Sequence, residues 1–193
     1  VALAQARFQL ARAIESHVAS LRDAAAQQQF RQRVLQQGDA NAWLVEPDWA
    51  RPHVFEPNRY PAPEASRYSG RYQFGKHYFP VLADLKESGQ EFQCAQLIDR
   101  HPRVRQWVRN LDTAPCGFGL PTSRGRFYAD FVAELVDGRV ALLEFKGAHL
   151  DNAYETEKRQ VGELWAQASA GRAAFGWLTI DGLAAQLNAV LGS

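Results

Sequence analysis

Three features of the sequence predict a mixed α/β domain of three layers: a long apolar-striped N-terminal helix, a run of strand-like segments after residue 100, and a helix, strand and helix that close the chain. With 193 residues, 46% of them hydrophobic, the chain can bury one substantial core and carry an extension outside it. From residue 2 to about residue 37 there is no Gly or Pro, and Leu3, Leu10, Ile14, Val18 and Leu21 fall on one helical stripe. This helix is expected to be a connector (residues 1–37), with the folded domain over residues 38–193. Its continuation past Gln27 is so polar that it is expected to face water or an absent partner. Residues 38–87 hold six of the nine prolines together with many aromatics, so short strands and turns are expected there rather than helices. Ser88 and Glu91 have capping-box spacing and open a helix to about residue 99. Strands are expected over residues 104–111, 117–121, 126–136 and 140–146, with a turn at Asp137 and Gly138. A helix then starts at Asp151 or Asn152 and runs to about residue 170, followed by a strand over 174–180 and a helix over 183–191.

Composition excludes several classes. A formal net charge of +1 gives no whole-chain attraction to nucleic acid, so any such footprint must be local. Cys94 and Cys116 lack zinc-site spacing and the density of a secreted disulfide scaffold, which favours a reducing cytoplasm. No apolar run reaches the roughly 18 residues of a membrane span. The start at Val1 and the absence of Met point to a fragment of something longer, and no phosphate-cradling Gly-x-x-x-x-Gly-Lys-Ser/Thr loop is present.

The informative segment is 127–147. Glu144 and Lys146 end an otherwise apolar strand, where each charge costs several kcal/mol to desolvate without compensation. Two apart on a strand, they share a face. A two-residue turn at Asp137 and Gly138 would set Asp130 on the opposite face. A three-residue loop with a left-handed Gly138 sets Asp130 across from Glu144, about 5 Å between Cα atoms, and matches Phe131 with Leu143 and Val132 with Leu142. Apolar matching selects the second register. Two carboxylates so close repel unless a cation lies between them, and Mg²⁺ (or Mn²⁺ in its place) is the expected cofactor. On that argument, neutralising either carboxylate is expected to leave the metal-free fold at least as stable. Asp130, Glu144 and Lys146 are therefore the candidate catalytic residues, with Lys146 orienting a water or the phosphate.

Asp130 followed by Glu144-x-Lys146 resembles the signature of the PD-(D/E)xK nuclease superfamily. The segments around Glu91 to Asp99, Trp107 to Asn110, Gly117 to Pro121, Phe127 to Phe131, Asp137 to Arg139, Glu144 to Gly147, and Glu157 to Trp165 are similar, in order, to the C-terminal endonuclease region of type III restriction enzyme Res subunits and related helicase-nuclease proteins. The resemblance covers roughly residues 88–180 and departs from the family where Ala129 replaces the usual Pro. It implies a restriction-endonuclease-like fold, Mg²⁺-dependent hydrolysis of DNA, an upstream ATP-driven helicase or translocase region, and a possible methyltransferase (Mod) partner. It also implies that Glu91 joins Asp130 and Glu144 around the metal, though the capping box accounts equally for Glu91. Lys158 shares the stripe of Tyr154, Val161 and Trp165, and the resemblance points it at the site edge or a DNA phosphate, with snorkelling to solvent as the plain alternative.

Between Arg100 and Arg126 six arginines face the single acid Asp112. Arg124 and Arg126, just upstream of Asp130, suit a phosphate backbone, while Arg100, Arg103, Arg105 and Arg109 read as a solvated face. His53 and His77 read as structural, and His101 and His149 have no assigned role. Two rival functions remain: a catalytically idle DNA-binding or docking module, and a structure-specific repair nuclease.

Overall fold

The computed structural model describes residues 2–36, 53–60, 64–83, 85–112, 116–147 and 152–192. Helix α1 (Ala2–Phe30) continues as a π-helical turn, Arg31–Gln36. Its apolar residues Phe8, Leu10, Ile14, Val18 and Leu21 stay exposed, and the side chain of Leu3 lies outside the described residues. The polar continuation, expected to face water or an absent partner, is exposed at Gln28, Gln29, Gln32 and Arg33, but three of its residues anchor it to the domain. Phe30 packs on the core, Val34 is buried, and Arg31 pairs with Glu157 at 3.3 Å.

The remaining elements are α2 (Gln90–Arg100), β1 (Val104–Arg109), β2 (Leu120–Thr122), β3 (Gly125–Phe127), β4 (Phe131–Leu135), β5 (Val140–Lys146), α3 (Ala153–Ala168), β6 (Ala173–Thr179) and α4 (Leu183–Leu191). β1, β4, β5 and β6 form a mixed sheet in that order. The first two pairings are antiparallel, and β5 runs parallel to β6 through the α3 crossover that a parallel connection requires. The expected strand over 126–136 is broken in two, because its first part folds back on β2 as a separate hairpin.

Helices cover both faces. On one, Phe92, Ala95 and Ile98 of α2 and Leu187 and Leu191 of α4 pack with Trp107, Phe131, Leu143 and Phe145. On the other, Val161 and Trp165 of α3 pack with Val132, Leu142 and the β2–β3 residues Leu120 and Phe127. Odd-numbered β5 residues thus face α2 and α4, and even-numbered ones face α3. Strand parity carries Glu144 and Lys146 onto the α3 side.

Helix α2 begins one residue later than the capping box requires. Gly89 occupies the N-cap position and no side chain caps it, so Ser88 does not play that part. Helix α3 starts as expected, with Asn152 Oδ1 accepting from the N–H groups of Tyr154 and Glu155. Among the described residues of 53–87 there are turns, a short 3-10 turn (Glu64–Ser66) and isolated bridges rather than strands. Tyr68, Tyr72 and Phe74 pack on the first core, whereas Trp43 and Trp49 lie outside the described residues. Buried Asp99 fastens this segment to the sheet. Its carboxylate accepts from the N–H groups of Gly75 and Lys76, the Tyr72 hydroxyl and the Trp107 indole, which meets the cost of burying it. No helix among the described residues is long and apolar enough to cross a membrane.

Candidate active site

The β4–β5 hairpin adopts the register that apolar matching selects. Phe131 pairs with Leu143 and Val132 with Leu142. The Leu135 N–H donates to the Arg139 carbonyl at 2.8 Å, and Gly138 takes a φ of +84°. That left-handed conformation carries little penalty for glycine, which is why the loop closes there. Asp130, immediately before β4, consequently meets Glu144. The Asp130 N–H donates to Glu144 Oε2 at 3.1 Å, and the Phe145 N–H donates to Asp130 Oδ2 at 2.8 Å. Each carboxylate braces the other's strand at the point where the ladder ends.

Ala129, where the resemblance to PD-(D/E)xK nucleases leads one to expect Pro, is buried, and its carbonyl accepts from Asn110 Nδ2 at 2.8 Å. Asn110 also exchanges hydrogen bonds with the backbone of Phe118. The approach to Asp130 is thus held by a side-chain brace rather than by a proline ring. Nothing in the local sequence pattern marks Asn110 for this, since its partners lie 8 and 19 residues away.

Lys146 Nζ lies 2.7 Å from Glu144 Oε1 and 2.5 Å from Glu155 Oε2, above the Trp177 ring. Glu155 Oε1 in turn pairs with Lys158 at 2.8 Å. Glu155, which the sequence reading did not single out, therefore joins the two lysines. Burial, and after it the charge of Asp130, pushes the Glu144 carboxyl up to about 7, although Lys146 and Lys158 pull the other way. Burial acts to lower the Lys146 ammonium, but its hydrogen bonds to Glu144 and Glu155 outweigh this and hold it above its ordinary value. Glu155 is affected by burial in the upward sense, yet the two lysines bring its carboxyl below the ordinary value.

On the other side of Asp130 stands Arg109, the last residue of β1. Its guanidinium donates to Asp130 Oδ1 at 2.9 Å and to Glu91 Oε2 at 2.7 Å, and lies 5.1 Å from the centre of the Phe131 ring. The Arg109 N–H donates to His77 Nε2, and His77 Nδ1 meets the Phe79 carbonyl, so the ring is the Nδ1-protonated neutral form. Burial lowers the His77 pKa to about 4, consistent with that state. Arg109 thus belongs inside the site rather than on a solvated face. Asp130 is thus more than a crowded, repelled anion: its charge still raises the Glu144 carboxyl, but a buried cation partners it.

Among the described residues no group of three or more His, Cys, Asp or Glu side chains converges as a ready metal cage. Asp130 and Glu144 nevertheless suit a hard cation that takes the rest of its shell from water and substrate. The raised Glu144 carboxyl indicates that this pair would gain from more positive charge nearby. Glu91 reaches the same constellation through the Arg109 guanidinium.

Of the residues expected from the sequence to meet DNA, Lys158 and Arg124 both lie over the Tyr154 ring, at 5.2 and 4.9 Å, which gathers them beside the Lys146–Glu155 pair. Arg126 is exposed on β3. Arg124 sits in the β2–β3 turn, which is pinned to α3 by Glu157: this buried carboxylate accepts from the N–H and hydroxyl of Ser123. Arg100, Arg103 and Arg105 are engaged elsewhere, with Tyr72, Asp137 and Glu134. His101 joins α4 through Asn188, and His149 lies outside the described residues. Cys94 and Cys116 are both free thiols, Cys94 buried. No family model matches the chain, and comparison with curated proteins and with solved structures likewise found no match.

Proposed function

We propose that this chain is an Mg²⁺-dependent endonuclease domain that hydrolyses DNA phosphodiester bonds. On this reading it has the restriction-endonuclease-like fold of the PD-(D/E)xK superfamily and serves a cytoplasmic helicase-nuclease of the type III restriction Res kind. The observation that carries this reading is the contact of Asp130 with Glu144 at the end of the β4–β5 ladder, with Lys146 against the same Glu144. Asp130 and Glu144, joined by Glu91, would hold Mg²⁺ or Mn²⁺, which when bound acidifies a water and offsets charge on the phosphate. Lys146 supplies a fixed ammonium at this point, held between Glu144 and Glu155 and free of any need to reorganise during the reaction. Lys158, Arg124 and Arg126 would hold the flanking phosphates. The upstream ATP-driven motor and a methyltransferase subunit complete the proposed assembly.

One observation favours a second reading, an idle DNA-binding module: Arg109 already neutralises the carboxylates of Asp130 and Glu91. Nicking of plasmid DNA with Mg²⁺ or Mn²⁺ decides between them. The enzyme reading expects metal-dependent nicking by this chain that falls at least a hundredfold in Lys146→Ala, while DNA binding persists. Equal nicking by both proteins, or none by either, sinks it.

A further inference from the structure

Resting on the metal-site reading above, we infer that Arg109 is a built-in counter-cation that competes with the divalent ion for Asp130 and Glu91, so that metal loading requires its guanidinium to leave. One planar guanidinium joins carboxylates from two separate elements, 2.9 Å to Asp130 Oδ1 and 2.7 Å to Glu91 Oε2. Arg109 is only 6% exposed, and an arginine stays charged at any working pH, so these contacts are what make its burial tolerable. Its backbone is fixed by His77 and its side chain is supported by Phe131, which keeps the fork in place without any ligand. A divalent ion at Asp130 Oδ1 would meet this guanidinium in a weakly screened setting, so the two positive groups compete for the same oxygen. Lys146, by contrast, sits on the far side of Glu144 and can stay where it is.

The structure also offers the displaced side chain somewhere to go. A cavity of about 430 Å³ is lined by Lys86, Gly89, Gln90, Glu91, Arg109 and Phe145, so the guanidinium can turn off Asp130 without crossing packed core. Because only the Arg-released fraction is competent, the apparent metal affinity of the wild-type chain is weakened by that fraction.

The test is Mn²⁺ binding by the whole chain, measured by titration calorimetry and by the metal-induced shift in melting temperature. Wild type is compared with Arg109→Gln and Arg109→Lys. Without metal, Arg109→Gln is expected to melt below wild type, yet to bind Mn²⁺ at least about tenfold more tightly. Arg109→Lys, which keeps the charge but loses the two-pronged grip, is expected to fall between the two and carries the comparison if Arg109→Gln does not fold. If wild type binds Mn²⁺ and the variants bind it equally or more weakly, the competition is refuted while the nuclease reading stands. If no protein binds Mn²⁺, both fall together.

Discussion

Replacing Glu144 with Gln converts the electrostatics of the site into a measurable pH dependence of stability. Glu144 is 5% exposed, and burial together with Asp130 raises its carboxyl from 4.5 to about 7. At about 1.4 kcal/mol per pKa unit this is worth about 3 kcal/mol, an upper bound because Lys146 and Asp130 respond as Glu144 titrates. The folded chain keeps a proton between pH 4.5 and 7 that the unfolded chain releases. The contribution is therefore fully present below about pH 4.5 and is lost as pH rises through about 7. Gln fills nearly the same volume and cannot ionise. Urea unfolding of both proteins in EDTA, stepped from about pH 4.5 to about pH 8, is expected to show wild type losing up to about 3 kcal/mol relative to the variant. Other titrating groups, such as His77, are common to both proteins and cancel in the difference. At about pH 8, saturating Mg²⁺ is expected to restore wild type alone, by about 2.7 kcal/mol at a hundred times the dissociation constant. Parallel curves for the two proteins would refute the assignment of Glu144 as a proton-holding, cation-seeking carboxylate.

Asp130→Asn is expected to destabilise the metal-free chain by roughly 1–3 kcal/mol, since buried Arg109 loses a charged partner; a variant as stable as wild type in urea would restore the repulsion picture. Charge reversal at Arg124 and Arg126 should reduce the salt dependence of DNA binding by about one unit of slope per lost phosphate contact, and an unchanged slope in a salt titration would move the DNA path elsewhere. Gly162→Ala places a Cβ 2.3 Å from the Phe175 ring where α3 crosses β6, so a loss of roughly 1–3 kcal/mol is expected, and an unshifted thermal melt would contradict that packing.

Features that depend on near neighbours can be read along the chain. The β4–β5 register follows from a turn residue and from apolar pairs within one hairpin, so the meeting of Asp130 with Glu144 is legible in the sequence. A helix start at Asp151 or Asn152 and the bounds of α4 follow from equally local rules, and the fold selects Asn152 as the cap. What balances those charges depends instead on how distant segments pack. Arg109 reaches Asp130 because β1 pairs antiparallel with β4 so that Arg109 lies across from Phe131, a pairing that no periodicity encodes. Glu155 joins Lys146 to Lys158 because α3 packs over the even-numbered side of β5, and Glu157 seizes Ser123 because the β2–β3 hairpin folds under the same helix. Periodicity and turn chemistry act over a few residues and so are written in order along the chain. The partner of a buried charge is chosen by which distant segments the core brings together, and a linear sequence shows the charge without showing that choice.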